Sequence, residues 1–158
     1  MKFFLKGGIL PQPSVVWSES LSPTNSVEQI FVNDDNNWLA TKGYTGHAFT
    51  IKVSDCKINL AGIRIKNTIN GEFRNRAVRI FRVFGFQQGN SGWHWVQLVQ
   101  EEFEDPLSDG APPPQLETFY FNEVVQLQLL KFDLDSFWGT LGGGLDYFEV
   151  ITASGEQL

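Results

Sequence analysis

Aromatic residues restrict the fold of this chain more than any other feature, because it has fourteen Phe, five Trp and three Tyr but a single Met. Phe, Trp and Tyr favour the pleated, half-buried surface of a β-sheet. Fifteen Gly and seven Pro interrupt the chain often and leave short segments between turns. The composition therefore favours an all-β protein.

The hydrophobic pattern predicts the same class, because apolar and polar residues alternate in several short runs, as in strands with one buried face. The predicted strands are residues 49–53, 60–66, 77–84, 93–99, 119–121, 125–134 and 145–151. In two of them the expected inward residues are Val78 with Ile80, and Leu127 with Leu129. The one helical candidate, Ser26–Ile30, is short. About eight strands with uneven loops indicate a β-sandwich of the jelly-roll type.

The chain has 158 residues, which is the size of one domain, and it shows neither an internal repeat nor a linker. We expect residues 1–158 to form a single domain, with 1–14 and 152–158 as terminal extensions. The loop at residues 105–114 contains an Asp-Gly pair and three consecutive Pro, and we expect it to be an exposed excursion.

The charge balance disfavours two classes of partner. Asp and Glu outnumber Lys and Arg by 18 to 12, which gives a net charge of −6. Non-specific nucleic-acid binders and polybasic membrane-surface proteins both need a net cationic face. No stretch approaches the roughly 18 apolar residues of a membrane span. We therefore expect neither nucleic-acid binding nor membrane insertion.

Cysteine and histidine are too scarce for several kinds of site. The single Cys56 excludes an internal disulfide, and with only two His a structural zinc site is not expected. His47 and His94 are separated by most of a predicted sheet. Asp133 and Asp135 share one strand face, which suits solvent better than acid–base chemistry. We therefore expect no enzymatic activity.

Four segments follow one another along the chain: residues 33–40, 63–68, 76–83 and 138–145. The first is an acidic turn before a Trp, and the second is a strand followed by an Asn- and Arg-rich loop. The third is a strand that begins after an Arg, and the fourth is a Trp-Gly pair before a glycine-rich turn and a last strand. In their order and spacing these segments resemble the discoidin, or coagulation factor 5/8 C-type, family, and the resemblance implies a galactose-binding-domain-like jelly roll. The better-known extracellular members join their first and last strands with a Cys pair, whereas this chain has one Cys.

Residues 67–76 form the richest polar cluster, with amide, carboxylate and guanidinium groups that suit sugar hydroxyls. Family members that bind glycans use loops at one end of the sandwich, so the resemblance implies ligand contacts here. The candidate ligand-binding residues are Asn67, Asn70, Glu72, Arg74, Arg76 and Trp138. We expect Arg76 to be partly exposed at the junction of loop and strand. The alternative is that the Asn-Gly pair is a turn and Arg76 pairs with a buried carboxylate.

The remaining Trp residues and one glycine run have predicted structural roles. Trp38, Trp93 and Trp95 lie at the starts of strands or within them, so we expect at least two of them to be packed in the core, and Trp17 to be packed as well. The Gly142–Gly144 triplet predicts a tight hairpin connection.

A second candidate site is a turn with four oxygen-bearing side chains at close spacing, the type of ligand that calcium prefers. They are Asn33, Asp34, Asp35 and Asn37. Many discoidin-like domains hold a structural calcium at the equivalent turn, so the resemblance implies Ca²⁺ as a structural cofactor here; the alternative is an ordinary acidic turn. Carbohydrate-binding relatives usually place a calcium-ligating Glu in the last strand, where this sequence has Tyr147, with Glu149 two residues on.

These observations favour a non-catalytic, lectin-like recognition module that binds a glycan or glycoprotein through the loops at one end of the sandwich. The alternatives are a protein–protein interaction or scaffold module of the same fold, and an accessory domain of a larger secreted protein. The family favours an extracellular or cell-surface location, whereas the single Cys and the Lys6-Gly7-Gly8 break in the first apolar run favour the cytoplasm.

If the turn at residues 33–37 holds calcium, a chelator should lower the melting temperature. A ligand that binds only the folded state stabilises it by about 2.7 kcal/mol at a concentration a hundred times its Kd. Thermal unfolding with and without chelator measures this effect. An unchanged melting curve, with no calcium found by metal analysis, would remove the calcium hypothesis.

Overall fold

The computed structural model describes residues 8–9, 12–32, 36–68 and 75–153. Its ten strands are β1 Gly8–Ile9, β2 Ser14–Ser18, β3 Trp38–Leu39, β4 Gly46–Lys52, β5 Ile58–Asn67, β6 Val78–Gly89, β7 Gly92–Glu102, β8 Leu116–Leu127, β9 Leu129–Phe137 and β10 Gly144–Thr152. Two short 3-10 helices, Pro23–Asn25 and Val27–Phe31, precede β3. Among these described segments, no helix has the length and apolar character needed to cross a bilayer.

The strands form two antiparallel five-stranded sheets that pack against each other. In the first sheet the order is β1-β10-β5-β8, with β3 also paired to β10. In the second the order is β2-β4-β9-β6-β7. The predicted all-β class and the jelly-roll sandwich are confirmed.

Phenylalanine rings from both sheets meet in the centre of the core. Phe132 of β9 stacks on Phe49 of β4 at 4.9 Å and on Phe81 of β6 at 5.4 Å between ring centroids. From the opposite sheet, Trp38 and Phe148 each present an edge to Phe49 at 5.6 Å. All five side chains are at most 1% exposed. Edge-to-face and stacked pairs fix the relative position of the rings, so this cluster sets how the two sheets lie on each other.

The prediction of one continuous strand at residues 125–134 is wrong, because two strands meet there. The chain leaves β8 after Leu127, enters β9 at Leu129, and thereby passes from one sheet to the other at Gln128. The Gln128 side chain donates a hydrogen bond to the Asp55 carbonyl at 2.7 Å and holds this crossing. The expected inward position of Leu129 is also wrong, because the alternation restarts after the crossing and the core residues of β9 are Leu130, Phe132 and Leu134.

The predicted inward face of β6 is wrong at Ile80. The pairing between β6 and β9 is irregular on both sides of Ile80, and the first irregularity places an extra residue in β6 between Val78 and Ile80, which shifts the alternation of β6 by one residue. The buried residues are therefore Val78, Phe81 and Val83.

The expectation that most Trp residues lie in the core is also wrong. Trp38 is fully buried, but Trp93 is 51% exposed and Trp17 is 45% exposed. Trp95 is half-buried. Trp93 and Trp95 lie on the outer face of β7, where strand position alone does not distinguish a core residue from a surface one.

The Gly142–Gly144 triplet does not form the expected hairpin, because β9 and β10 belong to different sheets. The glycines are required by crowding where the chain crosses between the sheets. A Cβ at Gly144 would lie 2.5 Å from the Trp38 carbonyl oxygen, and one at Gly143 would lie 2.9 Å from a Leu134 methyl. The crossing therefore packs tightly against β3 and β9.

The first sheet reaches into both segments that the sequence analysis assigns to terminal extensions. Gly8 pairs with Thr152 and Ile9 with Ile151. One edge of this sheet is thus formed by β1, while β8 forms the other.

Candidate functional site

The topology brings the described site residues to one end of the sandwich, which we call the loop end. Five connections lie there: those into β3 and β4, and those between β5 and β6, β7 and β8, and β9 and β10. Their described residues are 19–32, 36–37, 40–45, 68, 75–77, 103–115 and 138–143. Asn37, Asn67, Arg76 and Trp138 are described there. The other candidates, Asn33, Asp34, Asp35, Asn70, Glu72 and Arg74, lie outside the described residues.

Asn67 holds two strands together at the loop end. Its Nδ2 donates to the Val78 carbonyl at 2.9 Å, and its Oδ1 accepts from the Val78 amide at 2.9 Å and the Thr68 amide at 3.0 Å. The residue is 2% exposed. Because an amide oxygen accepts about two hydrogen bonds, this one is saturated by the backbone. Asn67 therefore joins the end of β5 to the start of β6.

Arg76 is also buried, so its expected partial exposure is wrong. It is 2% exposed, and its Nη1 donates to the Ala40 carbonyl at 2.6 Å. Burial lowers the pKa of Arg76, while the charge of Glu19 opposes this shift. The Glu19 carboxylate accepts the Thr41 amide at 3.0 Å, so both charged groups fasten the residues that follow β3. The hydrogen-bond acceptor is a carbonyl rather than the buried carboxylate of the alternative hypothesis.

Trp138 is half-buried. Its indole Nε1 donates to the Phe103 carbonyl at 2.9 Å. The guanidinium of Arg79 lies 4.5 Å from the centre of its ring and is itself 2.7 Å from Glu102. One face of the indole is therefore covered by a cation. Among the described candidates, the side chains of Asn67, Arg76 and Trp138 do not converge on one pocket.

The predicted calcium turn is described at one of its four residues, Asn37. The Asn37 Oδ1 accepts one hydrogen bond, from the Asn25 side chain at 3.0 Å, and an amide oxygen has a second lone pair. Within the described ranges, no cluster of three or more His, Cys, Asp or Glu side chains is arranged to hold a metal ion. The calcium hypothesis thus depends on residues 33–35.

The last strand carries a hydrogen-bonded pair where the resemblance places a calcium ligand. Tyr147 donates its hydroxyl to Glu149 Oε2 at 2.8 Å, and Arg64 lies 3.1 Å from Oε1 of the same carboxylate. Burial, and then the hydrogen bond to Glu149, raise the pKa of Tyr147 to about 12. Both carboxylate oxygens of Glu149 therefore have partners within the chain.

An open cavity of about 540 Å³ lies at the loop end, between Asn67, β8 and the loop at residues 103–115. Sequence analysis recognised this loop only as an excursion. Its first turn is closed by Asp105, whose Oδ1 accepts the Leu107 amide at 2.9 Å. Four acidic residues line the cavity, and no Lys or Arg does so among the described lining residues: Glu104, Asp105, Asp109 and Glu117. The cavity therefore presents hydrogen-bond acceptors and a negative field.

Both burial and neighbouring carboxylates affect the pKa of Glu117, which lines this cavity. Burial, and then the charges of Glu104 and Glu101, raise the pKa of this carboxyl. A carboxylate surrounded by others is least favourable when charged, so the cavity favours a neutral or cationic ligand over an anionic one.

Arg76→Lys should destabilise the fold. Lysine keeps the charge but cannot span the same distance with a planar fork, so the bond to the Ala40 carbonyl is lost and a buried ammonium is left. We expect the free energy of unfolding to fall by about 1–3 kcal/mol, the scale of a lost hydrogen bond from a charged group. Urea unfolding measures it, with the exposed Lys42→Gln as control. Unchanged stability, together with weaker glycan binding, would restore Arg76 as a ligand contact.

Glu117→Gln should stabilise the fold at neutral pH. A raised carboxyl pKa means that its contribution to stability is complete below the ordinary carboxyl pKa and is lost as the pH rises through the raised value. Gln removes that loss, so the melting temperature of the variant should exceed that of the original chain at pH 7 and match it in acid.

High salt should reduce this difference, because Glu117 is partly exposed to solvent. Glu123→Gln, an exposed carboxylate on the same strand but outside the cavity, is the matched control. A Glu117→Gln variant no more stable than the original chain at pH 7 would show that the cavity field is weak.

Comparisons with known proteins show that this chain is similar to solved structures, whereas its sequence matches no protein-family model and no curated protein. A family 32 carbohydrate-binding module of C. perfringens NanJ, in complex with galactose, has a TM-score of 0.69 at 11% identity and covers 92% of this chain and 99% of its own. A chitosan-binding module of a Paenibacillus sp. IK-5 chitosanase/glucanase, in complex with chitotriose, has a TM-score of 0.63 at 10% identity, with 88% and 95% covered.

A third similar structure is a protein complex. Reduced XRCC1, bound to the catalytic domain of DNA polymerase β, has a TM-score of 0.62 at 16% identity and covers 90% of this chain and 98% of its own. At these identities the likeness shows the fold. The fold implied by the resemblance to the discoidin family is thus confirmed: the chain is a galactose-binding-like jelly roll of the kind found in family 32 carbohydrate-binding modules.

Proposed function

We propose that this chain is a non-catalytic carbohydrate-binding module that binds its glycan at the loop end. The observation that carries the proposal is the open cavity between Asn67 and the loop at residues 103–115. Its volume of about 540 Å³ lies in the range typical of small-ligand sites. Carboxylates accept hydrogen bonds from sugar hydroxyls, and Pro112–Pro114 supply apolar surface for the C–H groups.

Two of the similar structures support a sugar ligand, since one holds galactose and the other chitotriose. The carboxylates narrow the choice to a neutral or amino sugar, because an anionic sugar would be repelled by Glu104, Asp105, Asp109 and Glu117. The bonds of Asn67 and Arg76 hold the adjoining loops in place before any ligand arrives. A site that is already ordered loses little conformational entropy on binding.

A protein partner is the second candidate, and a separate surface favours it. The edge strand β8 exposes Leu116, Tyr120 and Val124 at 47%, 66% and 44%. Exposed apolar side chains on a sheet edge are typical of surfaces that bind another protein. The similarity to XRCC1 bound to a polymerase domain shows that this fold can take part in such a complex.

A glycan array, run with and without chelator, tests the first proposal, and titration calorimetry then gives the affinity for the best sugar. Asp109→Asn should weaken binding about tenfold or more, because a hydrogen bond to a charged group contributes about 1.5–3 kcal/mol. Asp55→Asn, at the opposite end of the sandwich with a 97% exposed side chain, should leave the affinity unchanged.

Galactose and chitotriose are the first sugars to compare, and the negative field predicts that salt weakens binding of the amino sugar more. Failure of every neutral and amino glycan to bind would contradict the proposal. Equal effects of Asp109→Asn and Asp55→Asn would contradict the position of the site.

A further inference from the structure

A row of aromatic and cationic side chains occupies the outer face of the second sheet, around the β6–β7 hairpin. We call it the hairpin strip; it consists of Phe84, Phe86, Trp93, Trp95, Lys57 and Lys131. Phe86 of β6 is paired with Trp95 of β7, and Phe84 is paired with Lys131 of β9. Because paired residues point to the same face of a sheet, the strip runs across three adjacent strands.

Three of the four rings of the strip contact one another, through Phe86. Phe86 stacks on Trp93 with centroids 5.3 Å apart and planes 11° from parallel. It also contacts Trp95 at 5.0 Å. Trp93 nevertheless stays 51% exposed, so the rings form a continuous apolar row that is open to solvent at the hairpin.

Lysine ammonium groups lie on these rings. Lys57 Nζ is 5.1 Å from the centroid of Trp93, and Lys131 Nζ is 4.4 Å from that of Phe84 and 5.2 Å from that of Trp95. Cations are attracted to ring faces, but at the exposed Lys57 a contact of this kind is weak, whereas the Lys131 side chain is only 18% exposed. An anion that reached the strip would offer these ammonium groups a stronger partner.

The nearby carboxylates leave this positive charge incompletely neutralised. Asp135 lies 2.8 Å from Arg82, and Asp133 lies 3.7 Å from Arg82 and 3.9 Å from Lys131. Lys57 forms no ion pair within the described residues. Lys57, Lys131 and Arg82 outnumber Asp133 and Asp135 by three to two, so the hairpin strip has one excess positive charge on a chain of net charge −6, and that charge is on Lys57.

The size of the strip decides between classes of ligand. Three strands are about 10 Å across, and the rows from Phe84 to the hairpin are about 15 Å long, which gives an area of about 150 Å². A stable protein interface needs about 800 Å² on each partner. A narrow linear ligand fits, whereas a globular protein does not.

We propose that the hairpin strip binds a linear, negatively charged polysaccharide, with sugar C–H faces against Trp93 and the sugar carboxylate or sulfate groups on the exposed Lys57. The strip lies on the sheet face towards the end of the sandwich opposite the acidic cavity. The hairpin strip and the acidic cavity therefore lie in different places and have charges of opposite sign. The two proposals can therefore fail independently.

Titration calorimetry at low and high salt tests this proposal on the whole chain, with oligogalacturonate and dextran sulfate as the anionic chains and dextran as the neutral one. We expect at least one anionic chain to bind, to bind more weakly in high salt, and to bind better than dextran. The comparison of the first two probes shows whether carboxylate or sulfate is the preferred anion.

Trp93→Ala should weaken this binding at least tenfold, while Trp17→Ala, which removes an exposed Trp from the other edge of the same sheet, should not. Lys57→Gln should weaken it more than Lys42→Gln, which removes the same charge at the loop end. Because Lys57 is exposed, this pair remains informative even if Trp93→Ala misfolds.

Several results would overturn the proposal: no binding of either anionic chain, equal binding of dextran, or equal effects of the two variants within either pair. Asp109→Asn should leave binding of the anionic chain unchanged. Weaker binding in that variant would assign the anionic ligand to the loop end and would also overturn the strip.

Discussion

The contact between aromatic rings of the two sheets determines the rest of this structure. Phe132 lies between Phe49 and Phe81, and Trp38 and Phe148 reach the same cluster from the opposite sheet. Each such pair contributes about 0.5–1.5 kcal/mol beyond the area it buries. The rings can meet only in one relative placement of the sheets, and that placement fixes which loops lie together at each end.

Buried polar groups then hold strands and loops together at the loop end. Asn67 joins β5 to β6, and Arg76 holds the residues after β3. An unpaired polar group at such a depth costs more than a made hydrogen bond gains, so these contacts fix the loops strongly. The acidic cavity opens beside them. The positive charge of the hairpin strip lies towards the other end, so the fold separates two surfaces of opposite field.

Composition and alternation were sufficient to predict the all-β jelly roll, because the aromatic residues and the turn signals agree with one another. The errors arise where local pattern is ambiguous. The irregular pairing around Ile80 changes the inward face without a signal in the sequence. Similarly, the passage between sheets at Gln128 looks like a continuous strand, because alternating residues lie on both sides of it.

The sequence predicted which end of the sandwich carries the candidate site, but it did not predict which side chains line the cavity. Asn67 and Arg76 have the chemistry of ligand contacts, but the depth that makes them structural depends on packing from distant residues such as Ala40 and Val78. The cavity was missed because its carboxylates are spread over a proline-rich loop and a strand that meet only in the fold. Trp93 was assigned to the core because a strand pattern does not reveal which face is covered.

Nuclear magnetic resonance titration of the ¹⁵N-labelled chain with the neutral or amino glycan selected by the array tests the central claim most directly. We expect the changes in amide chemical shift to be concentrated at residues 103–117 and at Asn67, with little change at Trp93 and Lys57. Changes confined to the β6–β7 hairpin or to the edge strand around Tyr120, with residues 103–115 unaffected, would contradict a glycan site at the loop end.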